Sequence, residues 1–416
     1  MTSQLICPIS KILAEEIKDS RGNPTIKVTI FAGNMSGSFS VPSGASTGIH
    51  EAHELRDADG KGVKTAIDKV NKVIAPALIS QNVLNQKEVD KIMIKLDGTA
   101  NKDNLGGNSM IGVSVACAKV AAKISGVETY QYLQTLAEIK PSRKVPYLFM
   151  NMLEGGKHVH NGFSLAFQEY HIVPDTENIE EAVQIGITIN NILKEIMLES
   201  DNGIIDPGDE GTWAPRTSDV KAPLEYLNKA IKKNNSQTKI RLALDTAASS
   251  FYSDEEYEVN KKKISKEDLL NTYNSLVGEF DLFAIEDPFY EEDFESFMEL
   301  KKQNKKLLVV GDDLTVSNQM LLKEAIGKDS INAIIIKPNQ IGTLTETLET
   351  MKLARENDIE LIVANRSGET DDDFIADLAY AFGCFGLKAG SPIKPERMAK
   401  YKRLMEIINK NRKKYE

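Results

Sequence analysis

The chain has 416 residues, of which 41% are hydrophobic and 27% charged, an ordinary globular balance with room for a barrel plus a smaller partner domain. A formal net charge of −10 argues against a nucleic-acid-binding surface, and no apolar stretch is long enough to span a bilayer. The scattered Cys7, Cys117 and Cys384 have neither metal-ligand nor disulfide spacing, and the first residues carry no long apolar core, so a cytoplasmic protein without a secretory signal is expected.

Residues 13–31 read as a strand, a turn and a second strand. Asp19 to Pro24 is dense in turn formers, and Thr25 to Ile30 alternates with period two. A third short strand leads to Val41. Pro42-Ser43-Gly44-Ala45-Ser46-Thr47-Gly48 follows, a loop of small residues whose N–H groups can approach an anion or a metal, although composition alone fits an ordinary surface loop as well. Helices are predicted near 63–80, 86–96 and 109–124, the last small and apolar and therefore packed against another layer. Residues 1–135 form an α+β domain, and Glu138 to Lys144 is the linker.

Beyond the linker the pattern changes. Strand-like runs fall at 145–150, 164–173, 240–245, 281–285, 307–311, 332–336, 360–364 and 385–388. No helix fits between the first two, and two helices, 177–199 and 221–233, precede the third. From there strands alternate with helices at 265–278, 290–304, 317–327, 343–357, 372–382 and 395–410. The order is ββαα(βα)6, which predicts a closed β/α barrel of the TIM type over residues 136–416.

A barrel enzyme places its chemistry at the C-terminal ends of its strands. Three successive strands end at Asp245, Glu286 and Asp312. Each alone reads as a helix N-cap, but the three in register repel one another unless a cation sits among them, and oxygen ligands suit Mg²⁺. The next strands end near Lys337, Arg366 and Lys388. These suit either an ion-pair ring that neutralises the carboxylates or a pocket for a multiply anionic substrate, and the two readings are compatible. Lys337 follows three isoleucines at the close of a doubly buried strand, where desolvation can turn an ammonium into a base. The acidic turn Asp206 to Thr212, with Glu210, together with Glu169 supplies a candidate carboxylic acid facing that lysine. These parts suit removal of a proton α to a carboxylate and expulsion of a β-leaving group, the pattern for which enolase-superfamily sites are a standing example.

The motifs Asp19-Ser-Arg-Gly-Asn-Pro-Thr25, Val41 to Gly48, Gly208-Asp-Glu-Gly211, Ile285 to Phe289, Gly311 to Val316, Lys337-Pro-Asn-Gln-Ile-Gly342 and Arg366-Ser-Gly-Glu-Thr370 occur in one order over the whole chain. In them the sequence resembles the enolase family, the phosphopyruvate hydratases of glycolysis. The resemblance implies an N-terminal α+β domain capping the barrel, a homodimer or assembly of dimers, and a small phosphorylated acid as substrate, with no nucleic acid or membrane partner. By the same resemblance Asp245, Glu286 and Asp312 hold one Mg²⁺, and Ser46 joins a second, with Mn²⁺ an alternative ion. Lys337 is then the base, Glu210 the acid with Glu169 its partner, Lys388 the contact to the substrate carboxylate, and Arg366 and Ser367 the contacts to phosphate. Gln168, His158 and His160 complete the substrate-binding set.

The chain departs from the family pattern at the barrel mouth. Asn365 stands where a histidine is usual, Thr212 and Trp213 follow one glycine where two are usual, and Pro338 follows the lysine. The loop 157–162 is longer than usual, which leaves His158 and His160 as alternatives for one position. These departures leave open a related acid as substrate, or a weakened scaffold, beside the leading reading of interconversion between 2-phosphoglycerate and phosphoenolpyruvate.

Overall fold

Period-two sequences build the N-terminal sheet. In the computed structural model, which describes residues 6–45, 48–159, 162–163, 165–200 and 206–412, Ile9–Lys18, Pro24–Ala32 and Met35–Ser40 pair antiparallel in sequence order. Ile26, Val28 and Ile30 lie on one face and are fully buried. Helix Gly107–Ile124 packs on this sheet, and its small residues permit close approach. A Cβ on Gly37 would lie 2.5 Å from the Val120 nitrogen and 2.8 Å from the Ala116 carbonyl oxygen, so only glycine fits there.

The helix expected at 63–80 is composite. Lys64–Lys69 and Ala75–Leu78 are α-helical, and Val70–Ile74 between them is a π-helical turn. Within that wider turn the Asn71 amide exchanges two hydrogen bonds with the Ala14 backbone at the sheet edge (2.9 and 3.1 Å). A further helix, Thr129–Leu136, lies outside the sequence reading. Its signal was local, a capping box between Glu128 and Gln131 just before the linker.

Eight strands close the barrel: Tyr147–Glu154, Glu169–Pro174, Ile240–Asp245, Leu282–Glu286, Leu308–Gly311, Ala333–Ile336, Glu360–Ala364 and Gly386–Lys388. The eighth pairs parallel with the first, Leu387 beside Leu148. The second strand is antiparallel to both of its neighbours, and the rest are parallel. Helices Ile179–Ser200 and Ala222–Lys233 precede the third strand, as the ββαα order requires. Three short strands at 252–264 form a small separate sheet that the sequence reading did not contain. Among the described residues no single helix is long and apolar enough to cross a membrane.

Alternation sorts the barrel residues into two cores. Tyr147, Phe149, Val173, Ala243, Ala284, Val310, Ala333, Ile335, Ile362 and Ala364 pack inside the barrel. Their chain neighbours, among them Leu148, Leu244, Ile334 and Ile336, pack outward against the helices. Tyr147, Phe283 and Phe385 cluster where the parallel strands begin. The Arg143 guanidinium lies 3.4 Å from the Tyr147 ring centroid and that of Arg241 4.5 Å from the Phe283 ring. This end is plugged, and the polar mouth is the other. The contact at Gly37 is directly testable. Gly37→Ala should cost about 1–3 kcal/mol through backbone overpacking, read as a lower urea midpoint with an unchanged m-value.

Candidate active site

The inward register of the barrel core continues into polar residues. Ala243 precedes Asp245, Ala284 precedes Glu286, Val310 precedes Asp312, Ile335 precedes Lys337 and Ala364 precedes Arg366, each by two positions, and Lys388 stands beside Phe149 in register. The mouth therefore inherits its side chains from strands that bury the residues below them. Glu169 arrives from the other direction. It opens the antiparallel second strand, so its N-terminal end lies at the mouth, paired with Asp245 on one side and Glu154 on the other.

Two ammonium groups sit among the carboxylates. Lys388 Nζ lies 2.6 Å from Asp245 Oδ2, 2.8 Å from Glu286 Oε2 and 3.2 Å from Glu169 Oε2. Lys337 Nζ donates to Asp312 Oδ2, and Gln340 Nε2 donates to Asp312 Oδ1 at 2.9 Å. Burial opposes the charge of Lys337, but Asp312 outweighs it and raises the ammonium above its ordinary range. Burial also works against Asp312, which Lys337 nevertheless holds below the usual carboxylate range. Glu286 goes the other way: burial and then the Asp245 charge push it well up despite Lys388. For Glu169, burial is overcome by Lys388 and His171, and its carboxyl is held well down. Four buried carboxylates thus share two ammonium groups, and the surplus negative charge and all-oxygen donor set fit a divalent hard cation.

A second acidic trio, Asp287, Asp312 and Asp313, is the one set among the described residues whose oxygens all lie within 4.8 Å of one another. Only Asp312 belongs to both groups. The Asp287 carboxylate already accepts the Asp312 N–H at 2.8 Å and the Asp313 N–H at 2.7 Å. From a left-handed backbone (φ 43°), which aspartate tolerates, it aims the Asp312 peptide. Asp287 therefore supports the Asp312–Asp313 backbone, while Asp245, Glu286 and Asp312 point their carboxylates at the two ammonium groups.

The opposite wall carries Arg366 and Ser367. Arg366 presents its guanidinium fork to Glu51, with Nη1 2.9 Å from Oε2 and Nη2 3.1 Å from Oε1. Ser367 Oγ accepts from Arg21 Nη1 at 3.1 Å and from the Ala45 N–H at 2.7 Å. Ser43 and Gly368 exchange backbone hydrogen bonds at 2.8 and 2.9 Å. The Asp19–Thr25 turn and residues 42–45 of the following loop therefore converge on Arg366 and Ser367.

Glu210 closes the third wall and is 1% exposed. Its carboxylate accepts from Asn365 Nδ2 at 2.6 Å and Asn151 Nδ2 at 3.2 Å, and lies 3.1 Å from Arg397 Nη1. Asn365 thus takes a place on Glu210 as a neutral donor. His158 is buried, its Nδ1 3.4 Å from Glu169 Oε1. The Gln168 side-chain oxygen is buried with no hydrogen-bond partner among the described residues. A single cavity of about 20 Å³ is lined by His158, Gln168, Glu169, Glu210, Asp245, Lys337, Asn365, Arg366, Ser367 and Lys388. It is narrow because the lysine side chains fold into it. Glu286 and Asp312 join the group through Lys388 and Lys337. Ser46 and His160 lie outside the described residues.

Sequence reading passed over Glu51, Glu154 and Arg397. Glu51 stands three residues after Gly48, and only the tertiary fold brings it to Arg366. Arg397 sits on the C-terminal helix Pro395–Arg412 with nothing in the sequence to separate it from a surface arginine. Glu154 is buried by a register shift between Asn151 and Leu153, which breaks simple alternation.

Comparison with known proteins agrees along the whole chain. Residues 9–133 match the family model of the enolase N-terminal domain, and residues 142–415 that of the enolase C-terminal TIM barrel domain. Enolase of Methanocaldococcus jannaschii is 43% identical over 406 residues, covering 96% of this chain and 94% of that protein. Enolase of Methanosarcina barkeri is 43% identical over 408 residues with the same coverage. Enolase 1 of Entamoeba histolytica is 42% identical over 419 residues, covering 96% of this chain and 95% of that protein.

Arg397 is fully buried, and besides Glu210 it donates to the carbonyls of Arg366 at 2.7 Å and Ser367 at 2.6 Å. Arg397→Met strands a buried carboxylate and two carbonyls. It should cost about 3–5 kcal/mol, measured as a fall in the urea unfolding midpoint at neutral pH.

Proposed function

The chain belongs to the enolase family, and on that premise we propose that Lys337 and Glu210 act as base and acid on opposite sides of a substrate held at the barrel mouth. The protein is a carbon–oxygen lyase of glycolysis, interconverting 2-phospho-D-glycerate with phosphoenolpyruvate and water. This identity sets aside a different acid substrate and a silent scaffold as readings of the barrel-mouth departures. The observation that carries the residue assignments is that one buried cavity is lined by Lys337, Glu210, Glu169, Lys388, Arg366 and Ser367 together.

Neutral Lys337 takes the C2 proton in the dehydration direction. The ammonium now bonded to Asp312 is the form that returns it in the hydration direction. Arg366 with Ser367 receives the phosphate, and Lys388 the substrate carboxylate. The Glu51–Arg366 pair supports this, since it has the bidentate geometry that a phosphate would take over. Glu210, backed by Glu169, protonates the C3 hydroxyl as it leaves. Asp245, Glu286 and Asp312 would hold Mg²⁺, with Ser46 reaching a second ion and Mn²⁺ an alternative. The bound metal charge would withdraw electron density from the substrate carboxylate and make the adjacent C–H more acidic. Residues 1–135 form the cap in this reading and 136–416 the catalytic barrel, supported by the Ser43–Gly368 and Glu51–Arg366 contacts between them. A homodimer in the cytoplasm completes the assignment.

The two half-reactions separate the residues. Lys337→Ala should lower turnover by about 10³-fold or more and also abolish exchange of the C2 proton with solvent deuterium, followed by NMR. Glu210→Gln should lose formation of phosphoenolpyruvate, followed by ultraviolet absorbance, while keeping C2 exchange. Exchange that persists in Lys337→Ala would remove that lysine as the base. A chelator should stop turnover, and added Mg²⁺ should restore it.

A further inference from the structure

Two of the departures at the mouth meet at one point beneath it. Thr212 donates its hydroxyl to Glu154 Oε1 at 2.5 Å, and Asn365 donates to Glu210 at 2.6 Å. Asn365 cannot titrate, whereas Glu154 can. Glu154 ends the first barrel strand and is fully buried. Its two oxygens accept the Glu210 N–H at 3.2 Å each, and Oε1 accepts the Thr212 N–H at 3.4 Å. A Cβ at Gly208 would overlap the Glu154 carboxyl, so glycine is what lets the acidic turn close down on it.

We propose that Glu154 is a positioning residue for Glu210: its carboxyl anchors the Gly208–Gly211 turn and so fixes where Glu210 meets the departing C3 hydroxyl. This rests on the reading of Glu210 as the acid. In that step the electron pair left at C2 by proton removal forms the C2=C3 double bond, the C3–O bond breaks, and the oxygen takes the proton of Glu210 and leaves as water; solvent later reprotonates Glu210.

The charged groups facing Glu154 are few. Glu210 faces it from the turn, and Glu169 from the second strand with His171 and Lys388 behind it. His158 Nδ1 lies 3.6 Å from Glu154 Oε2, buried and without a hydrogen-bond partner among the described residues. Arg397 stands behind Glu210. Lys157 is exposed and Asp209 half-buried at the flanks. Glu210 and Glu169 oppose a charge on the buried Glu154. Burial, and then the charge of Glu210, push Glu154 up to about 8, while the Thr212 hydroxyl opposes the rise.

The Mg²⁺-loaded enzyme tests this through pH profiles of kcat. In the unaltered protein kcat should fall as pH rises through about 8, where Glu154 loses its proton and a buried charge forms beneath the Glu210 turn. Glu154→Gln keeps an acceptor for the turn but cannot titrate. Its kcat should drop about tenfold to a hundredfold, with KM within about twofold, and the alkaline limb near 8 should be absent. Thr212→Val keeps both carboxyls and removes a bond to the charged form, so its limb should move to higher pH. Because the folded protein holds the Glu154 proton more tightly than the unfolded chain, the protonated form favours folding. Tm of the unaltered protein should therefore fall relative to Glu154→Gln as pH rises from about 4.5 to about 8. An unchanged limb in both variants, or unaltered kcat in Glu154→Gln, overturns the proposal. Glu210→Gln separates the two readings: normal turnover there removes Glu210 as the acid, whereas an inactive Glu210→Gln beside an unaffected Glu154→Gln removes only the role of Glu154.

Discussion

Surplus buried negative charge at the barrel mouth is the constraint on which the rest of the site depends. Glu169, Asp245, Glu286 and Asp312 are brought together by strand register, and their mutual repulsion is held in check by Lys337 and Lys388. Neither lysine can be an inert strand cap in such a place, because each is the counter-ion of carboxylates that have left water. The same crowding makes the mouth receptive to a divalent cation and gives Lys337 a carboxylate partner from which its proton affinity is set. Binding chemistry and acid–base chemistry are thus two consequences of one charge imbalance.

Around that imbalance the fold supplies direction. Parallel strands deliver their C-terminal residues to the mouth, and the one antiparallel strand delivers its first residue, Glu169, to the same level. The N-terminal domain then covers the anion-facing wall. Arg21 and Ala45 hold Ser367, and Glu51 occupies the fork of Arg366. The C-terminal helix closes the acid-facing wall from behind, where Arg397 ties Glu210 to the Arg366 and Ser367 backbone. Lys337, Arg366 with Ser367, and Glu210 come from three separate stretches of chain, and each is secured by a residue from yet another.

Much of this was legible before any coordinates. The last six barrel strands lie where β-branched and apolar runs predicted them, because a strand buried on both faces leaves an unbroken hydrophobic signature; the first, expected at 145–150, runs on to Glu154. The groups at their ends were legible for the same reason: a charge that directly follows such a run must emerge at a strand end. The second strand was harder. Its run read as 164–173, whereas the strand itself begins at Glu169, since apolar residues before it pack without joining the ladder. The π-helical turn at Val70–Ile74 left no periodic trace, and the small sheet at 252–264 left only the four-residue alternation Glu256-Tyr257-Glu258-Val259. Thr129–Leu136 did leave one, its capping box.

The sequence by itself determined the ββαα(βα)6 order and the carboxylates and lysines at the strand ends, Lys337 among them, because period and side-chain chemistry are properties of the local chain. Only the tertiary structure decided which charges neutralise which. Lys388 is shared among three carboxylates, Arg366 is met by Glu51, and Asn365 serves Glu210 as a neutral donor. It also decided that Glu154 turns inward, through a register shift that alternation cannot foresee. Such pairings join residues far apart along the chain, and the energy of a buried charge depends on what surrounds it in space, which no one-dimensional pattern records.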